Sequence, residues 1–413
     1  MGKEESGNIV AGLDVGTTKV CCIIGEVTKE GDVQIVGVGH SPSKGLRKGV
    51  VVNIDSTVES IRHAIDDASR MAGVEIGSVF AGIAGGHVKG INSHGVIAIS
   101  RADKEVTQDD VDRVIDAAKA VAIPMDREVI HVIPQEFIVD NQDGIHDPIG
   151  MSGVRLEVEV HIVTAAVTSA QNIVKCVERA GYYVEDIVLQ PLASSEAVLS
   201  QDERDLGVVL VDIGGGTSDI IVYTDSGVRH TAVLGIGGHL VTNDVAIGLR
   251  TPNPGAEELK VKYGCALASL VNGEEIRVPG VGGRSERTVP RRALAEIIQP
   301  RMEEIFELVS QELRHNGFDE RIPAGVVVTG GSSLLPGTAE LAEKILGMPA
   351  RIGVPQGING LVDVVHSPIY ATGVGLVLYG MHQRSLGRGP RFGGENQFNK
   401  VLGRMKEWFG EFF

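Results

Sequence analysis

The sequence of 413 residues is poor in cysteine, in aromatic side chains and in positive charge. Its four cysteines, Cys21, Cys22, Cys176 and Cys265, have no C-x-x-C spacing, and we interpret them as reduced core thiols of a cytosolic protein. The twelve histidines form no H-E-x-x-H-like motif, which argues against a catalytic metal site built on histidine. The formal net charge of −16 argues against nucleic acid as a partner, because proteins that bind it present a basic surface.

Long apolar segments are also missing. No apolar run approaches the roughly 18 residues of a membrane-spanning helix. The first ten residues, MGKEESGNIV, are polar and acidic and do not resemble a secretory signal. The length predicts two or more domains, because a single hydrophobic core stops growing below this size.

Glycine, in contrast, is in excess, with 54 residues against the usual share of about 7%. The stretches GLDVGTTKV (12–20) and LVDIGGGTSDI (210–220) each place an aspartate and a glycine-rich turn after an apolar strand. They resemble each other and lie about half a chain apart, which indicates an internal repeat. A third glycine cluster, GVVVTGGSSLLPG (325–337), follows another strand-like run.

These turns have the chemistry of phosphate binding. Glycine lets successive backbone N–H groups approach an anion closely. Asp14 and Asp212 close strands that look fully buried, and a lone buried carboxylate is costly without a cation. We therefore predict Mg²⁺ beside a bound phosphate group, with a solvated turn aspartate as the alternative at each position. The third cluster suits a flat ligand such as adenine.

In this order and spacing the three motifs resemble those of the actin-like ATPases. Within that group the chain is similar over nearly its whole length to the FtsA family of bacterial cell-division proteins. The segments that discriminate best are 127–165, REVIHVIPQEFIVDNQDGIHDPIGMSGVRLEVEVHIVTA, and 399–413, NKVLGRMKEWFGEFF. The resemblance implies an α/β fold of two actin-like lobes (duplicated ribonuclease-H-like domains), a small inserted α+β subdomain and a C-terminal amphipathic helix.

The resemblance and the local patterns together divide the chain into six parts. We predict a first lobe from 1–84, 166–206 and 366–383; an inserted subdomain at 85–165; a second lobe from 207–236 and 316–365, with an upper subdomain at 237–315; a linker at 384–398; and a membrane-targeting helix at 399–413. Two helix starts are predicted from capping boxes, at Ser56 with Glu59 and at Thr107 with Asp110.

The resemblance also implies that ATP and Mg²⁺ lie between the lobes. Asp14 and Asp212 would hold Mg²⁺ through water. The phosphate contacts would come from the two turns, namely Gly16, Thr17, Thr18 and Lys19, and Gly214, Gly215, Gly216 and Thr217. Lys19 is offset by one position from the matching lysine of actin, which leaves its role open.

Further positions are assigned by the same resemblance. Glu257 and Lys260, at i and i+3 on one helix, would contact ribose and adenine, although the next position, Val261, departs from actin; an ordinary surface salt pair is the alternative. The adenine would lie on a floor formed by Gly330, Gly331, Ser332 and Leu334. Gln190 would orient the attacking water, or simply end a strand. Because glutamine cannot accept a proton as a carboxylate does, we expect slow hydrolysis at best.

The C-terminal tail is interpreted without analogy. Its apolar residues fall on one helical stripe: Val401, Leu402, Met405, Trp408, Phe409, Phe412 and Phe413. Residues 384–413 carry a charge of +3, which leaves −19 on the rest. The pattern predicts an interfacial membrane helix, with a packing helix as the alternative. One tail should bind weakly, and several tails joined in a polymer should bind firmly.

The function implied is that of an FtsA-type protein. It would polymerise at the cytoplasmic face of the membrane at the division site and tether filaments of the tubulin-like GTPase FtsZ by gripping their C-terminal tails. We place that grip on Arg291, Arg292 and Arg301, for which solvated helix arginines are the alternative. The inserted subdomain would make filament contacts and meet other division proteins. The alternatives are a small-molecule kinase of the same superfold and a rod-shape-type filament protein.

Overall fold

The computed structural model describes residues 9–28, 31–101 and 103–385. The tail stripe 401–413 and all of the predicted linker except its first two residues therefore lie outside the described residues. Within them, no helix is long and apolar enough to cross a membrane. All four cysteines are buried and free, as predicted.

The first half of the chain contains eleven strands and five helices among its described residues. The strands are β1 (Ile9–Val15), β2 (Lys19–Val27), β3 (Val33–Pro42), β4 (Leu46–Arg47), β5 (Val50–Val51), β6 (Ser78–Ile83), β7 (Lys89–Ala98), β8 (Arg127–Val139), β9 (Gln142–Ile145), β10 (Arg155–Ala166) and β11 (Tyr183–Leu189). The helices are α1 (Ile54–Ala72), α2 (Gln108–Lys119), α3 (Val167–Ala180), α4 (Gln190–Val198) and α5 (Gln201–Leu206).

The second half, described as far as residue 385, has shorter strands. The strands are β12 (Val208–Ile213), β13 (Ser218–Thr224), β14 (Gly227–Leu234), β15 (Glu275–Val278), β16 (Arg287–Pro290), β17 (Val326–Thr329), β18 (Ala350–Ile352) and β19 (Asn359–Gly360). The helices are α6 (Gly238–Gly248), α7 (Asn253–Tyr263), α8 (Arg291–His315), α9 (Thr338–Leu346), α10 (Val362–Val365) and α11 (Ala371–Ser385).

Two sheets repeat the same arrangement, which confirms the internal repeat. The first lobe has the strand order β11-β6-β1-β2-β3-β19 and the second lobe the order β14-β13-β12-β17-β18. In each, an antiparallel hairpin (β1–β2 or β12–β13) is extended by a parallel neighbour (β6 or β17). The central strands are buried on both faces, which explains why their sequences are nearly continuous apolar runs.

The inserted subdomain has its own antiparallel sheet, in the order β7-β10-β8-β9, with α2 packed against it. A Cβ added at Gly95 would lie 2.4 Å from the Val114 carbonyl oxygen, so only glycine allows this close approach of strand and helix. The subdomain also contacts β14 of the second lobe. His161 Nε2 lies 2.9 Å from Thr231 Oγ1, and the Gln135 amide donates to the Val228 carbonyl over 2.6 Å.

Several boundaries differ from those predicted. Helix α1 begins at Ile54, because the Asn53 side chain, and not Ser56, caps it by accepting the Ser56 N–H. The capping box at Thr107 is confirmed. Strand β19, assigned to the second lobe from the sequence, pairs with β3 of the first-lobe sheet.

Helix α11 extends into the predicted linker. The linker was expected to begin at Arg384, but Arg384 and Ser385 form the last turn of α11. The Arg384 guanidinium pairs with Glu185 at 2.5 Å and donates to the Ile9 carbonyl over 2.7 Å. These two contacts hold the end of the helix against the first-lobe sheet.

Candidate functional site

Two glycine-rich turns, one from each lobe, face each other. Both are closed in the same way, by a backbone hydrogen bond from Gly16 N to Lys19 O (3.0 Å) and from Gly214 N to Thr217 O (2.9 Å). A Cβ added at Gly215 would lie 1.9 Å from the Thr18 hydroxyl oxygen of the opposite turn. The turns therefore touch, and a side chain at this position would force them apart.

A buried carboxylate lies at the end of the strand before each turn. Asp14 and Asp212 are 8% and 9% exposed. Asp14 accepts a hydrogen bond from the Gln190 amide (2.9 Å), and Asp212 accepts from the Ser194 hydroxyl (2.7 Å). Neither has a cationic partner at ion-pair distance among the described residues.

Burial dominates the protonation of both carboxylates. It raises the pKa of Asp14 to about 6; the charge of Lys19 opposes this rise and that of Asp212 adds to it. It also raises the pKa of Asp212, against the hydrogen bonds from Ser194 and Thr372. A cation placed between them would favour the charged forms.

The Lys19 ammonium is engaged by residues 369 and 370. The ammonium donates to the Ile369 carbonyl over 2.5 Å and lies 4.4 Å from the centre of the Tyr370 ring. Its charge nevertheless opposes the rise that burial causes in the pKa values of Asp14 and Asp212. A direct phosphate contact of Lys19 stays a prediction without a supporting contact.

Asp219, a third buried carboxylate, was missed from the sequence. It is 4% exposed on β13; its Oδ2 accepts from the Thr217 hydroxyl over 3.0 Å, and its Oδ1 has no hydrogen-bond partner in the described part of the chain. Burial, followed by the charges of Asp212 and Asp14, raises its pKa to about 8. The available signal was an acidic residue inside an otherwise apolar strand directly after the turn.

His239 was also missed. It follows β14 in the segment IGGH, and its backbone N–H donates to the Gly215 carbonyl over 2.8 Å. Its ring Nε2 lies 3.2 Å from the Thr18 hydroxyl of the other lobe. His239 thus bridges the two turns, a role that required the fold to become visible.

Gln190 lies beside Asp14 and does not end a strand. It is the first residue of α4, directly after β11, and its side-chain amide reaches Asp14 Oδ1. The amide N–H of the preceding Leu189 donates to His131 Nε2 over 3.0 Å. The backbone at Gln190 is therefore held from the inserted subdomain.

The pair Glu257 and Lys260 is not an ordinary surface salt pair. Lys260 is 8% exposed and donates to Glu257 (2.8 Å), to the Thr242 hydroxyl (2.9 Å) and to the Gly238 carbonyl (3.2 Å). Burial opposes ionisation of Glu257, but the hydrogen bond and charge of Lys260 outweigh it and lower its pKa. The pair thus fastens α7 to the start of α6, close to the second turn.

The third glycine cluster packs beneath Asp212. Gly330 has a φ of 83°, and a Cβ there would lie 2.3 Å from Asp212 Oδ1. Ser332 donates to the Gly214 carbonyl over 3.3 Å. Gly331 begins a short 3₁₀ helix that ends at the exposed Leu334.

The three arginines proposed for partner binding are all paired within the chain, on α8. Arg301 donates to Asp244 (2.7 Å), and Arg291 pairs with Glu274 (2.8 Å). Arg292 pairs with Glu296 at 3.0 Å, and its side chain is 62% exposed. The structure therefore does not bring them to the two turns, and only Arg292 presents a largely exposed cation.

The residues at the two turns fit a magnesium-bound nucleoside polyphosphate. The glycines leave the backbone amides of the turns open to an anion, because no Cβ covers them. Asp219 Oδ1, which has no hydrogen-bond partner among the described residues, remains able to accept a hydrogen bond. Within the described ranges, no three His, Cys, Asp or Glu side chains are placed to hold a metal directly. Mg²⁺ often keeps its waters, and two buried carboxylates such as Asp14 and Asp212 suit an ion that is held through water.

Comparison with known proteins places the chain in a family. Two family models match, "Cell division protein FtsA" over residues 209–375 and "SHS2 domain inserted in FTSA" over residues 85–164. The chain is 53% identical to the cell division protein FtsA of Pseudomonas aeruginosa over 414 residues, which cover 99% of each chain.

Two solved structures show the fold. The PilM-PilN type IV pilus biogenesis complex matches with a TM-score of 0.64 at 15% identity, covering 90% of this chain and 98% of that chain. MreB5 of Spiroplasma citri bound to ADP matches with a TM-score of 0.55 at 14% identity, covering 93% and 100%. These likenesses establish the actin-like fold, and the sequence matches establish that the chain belongs to the FtsA family of cell division proteins.

Proposed function

We propose that this chain binds Mg-ATP between its lobes, polymerises on the membrane at the division site, and tethers FtsZ filaments to the inner face of the cytoplasmic membrane. The observation that carries the proposal is the pair of touching glycine turns, each preceded by a buried carboxylate. A related fold, MreB5, has been solved with ADP bound, which supports a nucleotide at the corresponding cleft.

The backbone amides of residues 16–18 and 214–217 would hold the phosphates. Asp14 and Asp212 would hold the waters of Mg²⁺, which when bound supplies positive charge against the phosphates. Gln190, held beside Asp14, would orient a water but cannot take its proton, so hydrolysis is slow. Nucleotide acts here mainly by biasing the two lobes towards one closure.

The tail would supply membrane affinity. Full burial of an apolar side chain contributes at most about 1.5–3 kcal/mol, and a helix lying in the interface buries only one face. The thirteen residues of the predicted linker that follow α11, 386–398, would span roughly 20 Å. This is about two Debye lengths, so the acidic body is largely screened from anionic lipid.

Partner contacts would use two separate surfaces. The FtsZ tail would meet α8, where Arg292 is the arginine freest to exchange its exposed glutamate for an external carboxylate. The predicted insert, residues 85–165, would meet filament neighbours and other division proteins. The predicted division of the chain into lobes, linker and tail is part of this proposal.

The test is vesicle co-sedimentation with Mg-ATP and an FtsZ tail peptide. We expect the full chain to pellet with anionic vesicles and to retain the peptide. Deletion of residues 399–413 should abolish pelleting while leaving nucleotide binding intact, and Asp212→Ala should weaken nucleotide binding. Undiminished pelleting of the truncated chain would refute the tether, and absence of Mg-ATP binding by the folded full chain would refute the nucleotide site.

A further inference from the structure

A lysine at the mouth of the cleft has no role in the function proposed so far. We propose that Lys48 recognises the terminal phosphate of the bound nucleoside triphosphate, and so distinguishes it from the diphosphate. The inference rests on the proposed nucleotide site and adds a residue outside both glycine turns.

Lys48 lies in an unusual backbone conformation. It forms with Gly49 the two-residue connection between β4 and β5, and both residues have positive φ values, 50° and 76°. Positive φ at both positions is the signature of a type I′ hairpin turn, in which Asn-Gly or Asp-Gly is strongly preferred. A lysine at the first position is therefore locally unfavourable, and such departures concentrate at functional sites.

The turn is wedged between the two lobes. A Cβ added at Gly216, in the second-lobe turn, would lie 3.1 Å from Lys48 Cα. On the other side, the Gly49 N–H donates to the Thr17 hydroxyl of the first-lobe turn over 3.1 Å. Residues 48 and 49 thus touch both phosphate turns at once.

The Lys48 ammonium has no charged or hydrogen-bonding partner in the part of the chain that the structure describes. The ammonium reaches across to the second lobe, where a Cβ added at Gly235 would lie 3.8 Å from Nζ. No ion pair or hydrogen bond of this ammonium is formed with any residue that the structure describes, whereas the Lys19 ammonium is engaged by Ile369. A compact, hydrated ammonium is a strong point-charge ligand for phosphate.

The position selects the terminal phosphate. The proposed nucleoside floor, Gly330 to Leu334, lies under Asp212, whereas Lys48 contacts the tips of the turns. A triphosphate extends one group further from the floor than a diphosphate does. The extra phosphate is the part that the ammonium would meet.

The test uses Lys48→Asn, which places the preferred Asn-Gly sequence in the turn while it removes the charge. Lys48→Arg keeps the charge, and Arg47→Asn removes one exposed charge from the neighbouring strand as a matched control. Affinities for a non-hydrolysable ATP analogue, for ADP and for inorganic phosphate alone are measured by calorimetry, together with thermal unfolding of the nucleotide-free protein.

We expect Lys48→Asn to weaken binding of the ATP analogue about tenfold or more and to change ADP binding less than twofold, with an unfolding temperature equal to or above that of the parent. Lys48→Arg should stay within threefold of the parent, and Arg47→Asn should match it. Equal losses for both nucleotides, or no loss for either, would overturn the inference. So would equal losses for free phosphate and for the ATP analogue, because Lys48 would then hold any anion. A parent that binds neither nucleotide would instead refute the nucleotide site itself.

Discussion

Gly215 is the position where one added methyl group tests whether the two lobes meet. Its backbone is outside the left-handed region, so alanine adds no strain within the turn itself. The new Cβ, however, would lie 1.9 Å from Thr18 Oγ1 and 3.3 Å from Thr18 Cβ. Relief requires either that the Thr18 hydroxyl rotates away from His239, or that the turns separate.

The magnitude follows from these two routes. Loss of the hydrogen bond between Thr18 and His239 costs about 0.5–1.5 kcal/mol, and overpacking typically costs about 1–3 kcal/mol. Gly215→Ala should therefore weaken Mg-ATP binding by about 1–3 kcal/mol, or roughly 5- to 150-fold. The hydrophobic cores of the two lobes are untouched, so the free energy of unfolding of the nucleotide-free protein should fall by no more than this amount.

Calorimetric titration with Mg-ATP measures this effect. A double-mutant cycle identifies its cause, because Thr18→Gly removes the atoms that the new methyl meets. The cost of Gly215→Ala should then be smaller in the Thr18→Gly background than in the parent. Gly214→Ala is the matched control, since its Cβ would meet only the Thr217 carbonyl, within its own turn, at 3.3 Å. Parent-like binding by Gly215→Ala, or costs that simply add in the cycle, would refute the contact between lobes.

Two further predictions concern stability. Burial raises the pKa of Asp219 from 3.8 to about 8, so this group makes the free energy of unfolding fall as pH rises between those values. Asp219→Asn should remove that fall. The free energy of unfolding of the variant, compared with that of the parent, should therefore be higher at pH 8 than at pH 5. A difference between variant and parent that is the same at both pH values, measured by urea unfolding, would contradict this prediction. Arg301→Ala should lower the free energy of unfolding by about 1 kcal/mol, because its pair with Asp244 is about three-quarters buried, whereas Arg292→Ala should change it by less than about 0.5 kcal/mol. Equal losses in denaturant titrations would show that burial does not distinguish these pairs.

The parts of the fold that are encoded locally could be predicted from the sequence. The repeat was visible because strands buried on both faces are continuous apolar runs, and because a glycine turn needs its glycines wherever it occurs. The same reasoning identified Asp14 and Asp212 as buried. Gln190 came from the resemblance; the structure adds its contact with Asp14, and its action on a water stays a prediction.

What depended on distant partners could not be predicted. Arg384 looked like the start of a linker because its neighbours are glycine-rich, but its contacts, Glu185 and Ile9, are far away in the sequence. The burial of Lys260 could not be predicted either, and a surface pair stayed open as the alternative, because the contacts that bury Lys260 come from α6. Lys48 carried no signal, since only the folded chain shows that a lysine occupies a turn position suited to asparagine.

Helix α11 connects Asp212, at the end of β12, with the first-lobe sheet. Near its start, Thr372 donates a hydrogen bond to Asp212 over 3.3 Å. In its last turn, Arg384 contacts Glu185 of β11 and the Ile9 carbonyl of β1 in the first sheet. At 1.5 Å per residue the helix separates these residues by about 18 Å, as one stiff rod. A force applied to the chain beyond Ser385 would therefore be transmitted along this helix to Thr372 and its hydrogen bond with Asp212.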